Sequence, residues 1–210
     1  GSGSNATIGH GLSSAPEFVV VKCRSNSIHS PAWPLWSSAI AGTEYLDLKT
    51  TAAKATAASV WNSTIPTNSV FSVGTTSSCN SDGFTYVAYC FHSVDGYSKV
   101  GSYTSNNSSN GTFVYTGFRP AWVIVKASST GGSNYDWPIY DNKRSPINPV
   151  ALQLEANQSA DDESTRGVPI DFLSNGFKLR NSYSEANGGG NRTHIYLAFA
   201  EQPFKYSNAR

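Results

Sequence analysis

Charge is scarce in this chain: Asp, Glu, Lys and Arg make up 14% of its 210 residues, against roughly 25% in soluble domains generally. The net charge of +1 leaves no basic stripe, which excludes nucleic acid as an electrostatic partner. Long apolar runs are missing too. A stretch such as residues 18–21 falls far short of the roughly 20 residues a bilayer-crossing helix needs, so membrane insertion is not expected. No signal peptide is visible, and no heptads mark a coiled coil. Cysteine is limited to three residues. None of them has the paired ligand spacing of a zinc site. Cys23 and Cys90 read as small buried thiols, with a Cys23–Cys90 disulfide as the sharper alternative.

Ser, Thr, Asn and Gly supply the polarity that charge does not, and within this background the sequence repeats itself. Pro16-Glu17-Phe18-Val19-Val20-Val21-Lys22 returns as Pro120-Ala121-Trp122-Val123-Ile124-Val125-Lys126. Trp33-Pro34-Leu35-Trp36 returns as Trp137-Pro138-Ile139-Tyr140. Over the 21 positions from Pro16 to Trp36 seven are identical at one fixed shift, the rare Trp-Pro dipeptide among them. Further along, Leu46 aligns with Leu152, Phe71 with Phe177, and Tyr86 to Cys90 with Tyr196 to Ala200, with the added residues placed in Ser-, Asn- or Gly-rich stretches. A shared period of this kind predicts two homologous repeats of about 100 residues. Residues 5–105 form the first and 110–210 the second, packed as one compact unit. Residues 1–4, Gly-Ser-Gly-Ser, read as a linker or tag outside the fold.

Helical periodicity is nearly absent, while short apolar runs bounded by turn residues recur throughout. Residues 18–22 and 122–126, up to their closing Lys, and residues 86–91 and 195–199 are apolar on both alternating faces, as strands buried in a sandwich should be. Residues 45–48, 70–74, 112–115, 150–154 and 177–180 read as half-buried strands. Asp82-Gly83 and Asn175-Gly176 are tight-turn dipeptides. One short helix per copy is predicted, from Ala52 to Ala58 and from Ala160 to Glu163 behind Ser159. The expected fold is therefore all-β: an antiparallel β-sandwich of ten to twelve strands. Two small sandwiches and one interleaved jelly roll both remain open.

A family resemblance enters here. Tyr86-Val87-Ala88-Tyr89-Cys90-Phe91, Gly101-Ser102-Tyr103-Thr104, Tyr115-Thr116-Gly117-Phe118-Arg119-Pro120 and the closing Ala198-Phe199-Ala200-Glu201-Gln202-Pro203-Phe204 together resemble a repeated domain of tailed-bacteriophage tail and fibre proteins. Ile8-Gly9-His10-Gly11-Leu12 and Trp61-Asn62 with Pro66 fit the same pattern. The resemblance implies a concanavalin-like, lectin-type sandwich attached to the virion tail and assembled in the host cytoplasm. It implies bacterial surface glycan and other tail proteins as partners. Fibre-like proteins are often trimers, so a homotrimer is a further expectation. The resemblance carries no catalytic residues with it.

The residues themselves give catalysis little to work with. His10, His29, His92 and His194 lie far apart, and none has a nucleophile in an elbow context. His10 sits in a Gly-His-Gly turn. Of the central acids Asp136, Asp141, Glu155 and Asp171, no spacing singles out a pair for glycan cleavage, and Asp47 has no acid counterpart in the second copy. The chain is expected to be non-enzymatic, with a glycan depolymerase as the outlying alternative. Asn80, Asp82 and Asp161-Asp162-Glu163 carry oxygens suited to Ca²⁺, but solvated turns explain them equally, and no cofactor is expected. Binding has better material. Trp33, Trp36, Tyr135, Trp137 and Tyr140 concentrate ring area on which sugar C–H faces pack, and Asp136, Asp141, Asn142 and Arg144 could take hydroxyls beside them. The competing expectation is that these rings are core, because alternation would turn Trp33 and Leu35 to one face and Pro34 and Trp36 to the other. Trp122 replaces Phe18 inside an apolar strand and is expected to be core.

Overall fold

The computed structural model describes residues 1–25, 32–159 and 168–203, and they form fifteen strands and two single-turn helices. The chain divides into two units, residues 1–92 and 93–210. The first contains β1 (Ala6–Gly9), β2 (Phe18–Cys23), β3 (Pro34–Ser37), β4 (Glu44–Asp47), β5 (Ala55–Thr56), α1 (Ala58–Trp61), β6 (Val70–Val73), α2 (Ser77–Asn80) and β7 (Tyr86–Phe91). The second contains β8 (Ser98–Thr104), β9 (Phe113–Tyr115), β10 (Pro120–Ala127), β11 (Pro138–Asp141), β12 (Gln153–Glu155), β13 (Ile170–Leu173), β14 (Gly176–Leu179) and β15 (Thr193–Ala200). Every named pairing is antiparallel, which gives the expected all-β sandwich architecture.

In the first unit a five-stranded sheet, β5-β4-β3-β2-β7, faces the β1-β6 pair. Val19, Val21 and Trp36 on the inward side of that sheet pack with Phe71 and Val73 of β6, with Val60 and Trp61 of α1 and with Cys79 of α2. Each fully buried large apolar side chain contributes about 1.5–3 kcal/mol through removal from water. Neither helix has a side-chain N-cap; packing holds them. Gly74 makes the approach of α1 to β6 close: its N–H donates to the Val60 carbonyl at 2.8 Å, and a Cβ there would lie 2.1 Å from the Ser59 oxygen. The second unit pairs β12-β11-β10-β15-β8 in one sheet and β13-β14-β9 in another. Val123, Val125, Tyr140, Tyr196 and Ala198 from the larger sheet pack on Ile170, Phe172, Phe177, Leu179 and Val114 from the smaller.

The pairing of the first unit recurs in the second. Val19 stands opposite Trp36, and Val123 opposite Tyr140. Leu35 faces Leu46, and Ile139 faces Leu154, so by register the counterpart of Leu46 is Leu154 rather than Leu152. Cys90 lies opposite Val19 and Ala198 opposite Val123, so Cys90 corresponds to Ala198 rather than Ala200. Asp47 does have an acidic counterpart: it stands opposite Pro34 as Glu155 stands opposite Pro138.

Several expectations change. β8, assigned to the first repeat by a boundary at 105, pairs with β15 and belongs to the second unit. Residues 1–4 are part of the fold, because Ser2 N donates to Asn80 Oδ1 and Gly3 N to the Asn80 carbonyl, both at 2.8 Å. The helix expected from Ala52 is shorter and later, since residues 55–56 extend as β5 and only Ala58–Trp61 turn. The expected helix over 160–163 lies outside the described residues. Cys23, Cys79 and Cys90 are free thiols, and the β2–β7 register puts Cys23 opposite Tyr86 and Cys90 opposite Val19, at separate points of the ladder. Cys79 is buried in α2, where desolvation pushes its thiol up to about 12.

Phe177 is fully enclosed between the two sheets of the second unit, whereas Tyr115 on the neighbouring strand is 65% exposed. Phe177→Ala is expected to cost about 3–5 kcal/mol of unfolding free energy. Tyr115→Ala should cost under about 1 kcal/mol. Equilibrium denaturation of the two variants checks the difference.

Candidate functional site

The duplicated Trp-Pro dipeptide proves architectural. Trp33 N–H donates to Asp47 Oδ1, and Trp137 N–H to Asn157 Oδ1, each at 2.9 Å. The Trp33 carbonyl accepts from Leu48 N and the Trp137 carbonyl from Ala156 N, each at 3.0 Å. Over each indole lies the lysine that follows the apolar run: Lys22 Nζ is 5.5 Å from the Trp33 ring centroid and Lys126 Nζ 5.8 Å from that of Trp137. Such cation–π contacts contribute about 0.5–2 kcal/mol each, more when desolvated.

Burial removes five of the expected ligand-binding residues from the surface. Trp36, Trp137 and Tyr140 are 5%, 1% and 0% exposed. Trp36 Nε1 donates to the Ala41 carbonyl at 3.2 Å, and Tyr140 Oη to the Val168 carbonyl at 2.9 Å. Asp136 and Asn142 are buried with them, and Asn142 Nδ2 donates to Glu201 Oε1 at 2.7 Å. The physical reason is that large rings on the inward side of β3 and β11 fill core space, and their polar tips find backbone acceptors inside. Trp33, Tyr135, Asp141 and Arg144 stay half-buried. Tyr135 carries the Arg192 guanidinium 5.3 Å from its ring. Asp141 ends β11 in a turn, accepting from Lys143 N at 2.9 Å and Arg144 N at 2.8 Å, and its carboxylate also pairs with the Arg144 guanidinium. Asp171 pairs with Arg180 at 3.2 Å. His10 keeps its turn role: its Nδ1 accepts from Leu12 N and its Nε2 meets the Thr67 carbonyl, each at 3.1 Å. Of the calcium candidates, Asn80 binds backbone, with Nδ2 donating to the Ser4 and Gly74 carbonyls at 2.6 and 2.8 Å, Asp82 is exposed, and 161–163 lie outside the described residues.

Two of the four central acids do converge, with a third that spacing did not suggest. Gln153 and Glu155 of β12 stand opposite Tyr140 and Pro138 of β11, on the side of the sheet that Tyr140 turns to the core. Glu185 enters from the turn at 184–187, whose Ala186 carbonyl accepts from Tyr103 Oη at 2.6 Å. One carboxylate oxygen each of Asp136, Glu155 and Glu185 lies within 4.8 Å of the others, and all three residues are buried. Asp136 Oδ1 accepts from Asn157 Nδ2 at 2.6 Å and Gln158 Nε2 at 2.9 Å. Gln153 Nε2 donates to Glu155 Oε1 at 3.4 Å and Glu185 Oε2 at 3.2 Å, while its Oε1 is buried without a hydrogen-bond donor. Lys126 Nζ donates to the Tyr135 carbonyl at 2.7 Å. Burial lowers its pKa to about 8 against the opposing pull of Asp136.

A second feature faces outward. Alternation along β9 buries Val114 and leaves Phe113 and Tyr115 on the solvent side, 44% and 65% exposed. Phe113 stands opposite Lys178, which stands opposite Asp171, so one row of the small sheet reads ring, cation, anion. Tyr115 stands opposite Gly176. A Cβ at Gly176 would lie 2.1 Å from the Val114 oxygen and 3.0 Å from Phe113 Cζ, so glycine there lets the ring lie over the strand. The sequence showed these rings only as a half-buried strand, and their outward alternation around Val114 was the available signal.

His194 is buried, its ring stacked on Tyr103 with centroids 5.1 Å apart. Desolvation holds its pKa down at about 4, against hydrogen bonding to the Arg192 and Ser184 backbone, which raises it. The unfolded chain therefore binds a proton near pH 6.5 that the folded chain refuses until about pH 4. Stability from this residue is fully present above pH 6.5 and lost as pH falls through about 4, by on the order of 2–3 kcal/mol. His194→Phe, which keeps the stack, is expected to flatten that part of the pH–stability profile measured by denaturant unfolding.

Residues 1–203 match the family described as Domain of unknown function (DUF7483), and the chain belongs to that family. No curated protein and no solved structure matches it.

Proposed function

We propose that this chain is a non-enzymatic, carbohydrate-binding β-module of a tailed-phage tail or fibre protein, carried on the virion to meet bacterial surface glycan. The observation that carries the reading is the outward row on the small sheet of the second unit: Phe113 and Tyr115 exposed beside Lys178, Asp171 and Arg180. Flat apolar rings take the C–H face of a sugar, and the charged groups at the edge take its hydroxyls. The sites sought around Trp137 contribute rigidity instead, because their rings are enclosed.

The burial of the central acids supports a non-enzymatic role. Asp136 and Glu155 are 1% and 8% exposed, so no polymer chain reaches between them. A depolymerase reading requires reducing ends to appear when host polysaccharide is incubated with the chain, and none are expected. Contacts of this shallow kind are weak singly and gain avidity when several modules act together, which suits presentation in many copies, including a homotrimer.

Titration of the chain with host-derived oligosaccharide tests the reading. Binding in the micromolar to millimolar range is expected, falling at least about tenfold in Tyr115→Ala and Phe113→Ala with unfolding temperature preserved. Absence of binding at millimolar ligand overturns it. A virion module that only packs against other tail proteins would show the opposite pattern: Tyr115→Ala would impair particle assembly and leave glycan titration blank.

A further inference from the structure

We propose that the open edge of β7 accepts an extended strand of another polypeptide, one that carries a large apolar side chain opposite Ala88. The inference stands apart from the glycan reading and does not depend on it.

The second unit supplies the pattern. By cross-strand register, Tyr86–Phe91 of β7 correspond to His194–Phe199 of β15. There β8 pairs along the whole of β15. Ser105 N donates to the Arg192 carbonyl at 2.9 Å and Ala200 N to the Tyr97 carbonyl at 2.8 Å, marking the two ends of that ladder. Antiparallel bonding alternates along a strand, so His194, Tyr196 and Ala198 turn their backbone groups to β8. Their counterparts Tyr86, Ala88 and Cys90 point away from β2 in the same manner. The Arg24 N–H donates to the Thr85 carbonyl at 2.8 Å, which sets the odd-numbered residues of β7 toward β2. Among the described residues β2 is the one strand paired with β7, so the outer side of β7 has no strand along it.

The side chains agree. Ala88 stands opposite Val21, a core residue, and so lies on the inward face, yet it is exposed. Tyr89, on the other face, is 48% exposed. Their counterparts' neighbour β8 leaves Tyr196 and Ala198 buried at 3% and 0%. Residues 86–91 contain neither charge nor proline, the devices that commonly protect a strand edge from pairing. A groove of about 360 Å³ runs beside this edge, lined by Ala88 and Cys90 together with Ile8, His10 and Phe71.

Size decides what fits. In the second unit the Tyr196 ring fills the inward space, and β8 meets it with Gly101. A Cβ at Gly101 would lie 2.8 Å from Tyr196 Oη. The first unit has the small residue on the other partner, because Ala88 stands where Tyr196 does. An incoming strand therefore needs bulk where β8 has glycine. Its main chain would supply affinity and that side chain specificity, as in other cases of strand addition. A second copy joined β7 to β7 fits poorly: the symmetric pairing that uses all three outward residues sets Ala88 opposite itself and leaves the groove empty.

Two peptides added to the full chain test this, one with the sequence of residues 96–104 and one carrying Gly101→Tyr in that sequence. By fluorescence anisotropy the Gly101→Tyr peptide is expected to bind saturably in the micromolar range, at least about tenfold tighter than the unaltered one. Amide exchange at Ala88 and Cys90 should slow at least about tenfold on its addition, while Val87 and Tyr89, already turned to β2, keep their rates. Ala88→Tyr in the chain should reverse the order of the two peptides. The first two readouts need no variant, so they stand even if Ala88→Tyr does not fold. Absence of binding by both peptides at millimolar concentration overturns the proposal, as do equal affinities or protection confined to a different strand. Slow exchange at Ala88 and Cys90 in the free chain also overturns it. Sedimentation would then show whether a second copy or the chain itself covers the edge.

Discussion

The antiparallel ladder between β10 and β15 is the constraint on which the second unit depends. It runs from Pro120 opposite Ala200 to Ala127 opposite His194. With β15 on one side and β11 on the other, β10 has no free edge, and its register decides which residues turn inward. Val123 and Val125 go to the core with Tyr196 and Ala198, which fixes the depth at which the β13-β14-β9 sheet can sit. Lys126 falls on the opposite side, across from the indole of Trp137. A one-residue slip would exchange those two sets and place an ammonium among Phe172 and Phe177. Burial on both faces makes such a slip costly, and the apolar run at 122–125 encodes that burial.

From this ladder the polar interior follows. β11 pairs on β10 and carries Tyr140 inward; β12 pairs on β11 and so carries Gln153 and Glu155 inward as well. The sheet edge that ought to be apolar is therefore polar on its core side. The second unit thus has two faces of different character. Its interior end is charged and hydrogen-bonded, while its small sheet presents rings to the solvent. On the proposed glycan reading, affinity and rigidity fall to different residues, so each can be altered with limited effect on the other.

Much of this was legible in the chain itself. Unbroken apolar runs marked β2, β10 and β15, because a buried strand needs little else; the run at 86–91 does form β7, but with Ala88 and Tyr89 exposed rather than buried. The recurrence of Trp33-Pro34 as Trp137-Pro138 was visible, and the matched cross-strand pairs show both dipeptides in the same setting. What failed was register. Leu46 was aligned with Leu152 and Cys90 with Ala200, each two residues from the geometrical counterpart. A period of two makes a slip of two invisible, since every side chain keeps its face. The same limit hid the counterpart of Asp47 in Glu155. The carboxylate cluster was hidden for another reason: Asp136, Glu155 and Glu185 come from a loop, a strand and a turn, and only tertiary pairing brings them together. For Trp36, Trp137 and Tyr140 the choice between core and sugar platform stayed open, because aromatic rings serve both equally well and sequence alone does not give their depth; burial decides for the core.

The position of β15 in its sheet has a consequence for how the protein is made. Of the strands in the second unit's larger sheet, residues 193–200 leave the ribosome last, yet they lie between β10 and β8, which emerge some 70 to 95 residues earlier. Until then the two earlier strands have a gap between them with unpaired backbone on both sides. The second unit therefore cannot close its larger sheet until residue 200 is out, whereas the first can complete β2-β7 as soon as residue 91 is out. A nascent chain halted before residue 193 would present two open strand edges to its neighbours, the kind of surface on which chains pair with one another. Abundant synthesis of such a protein calls for rapid completion or for a chaperone that shields those edges meanwhile.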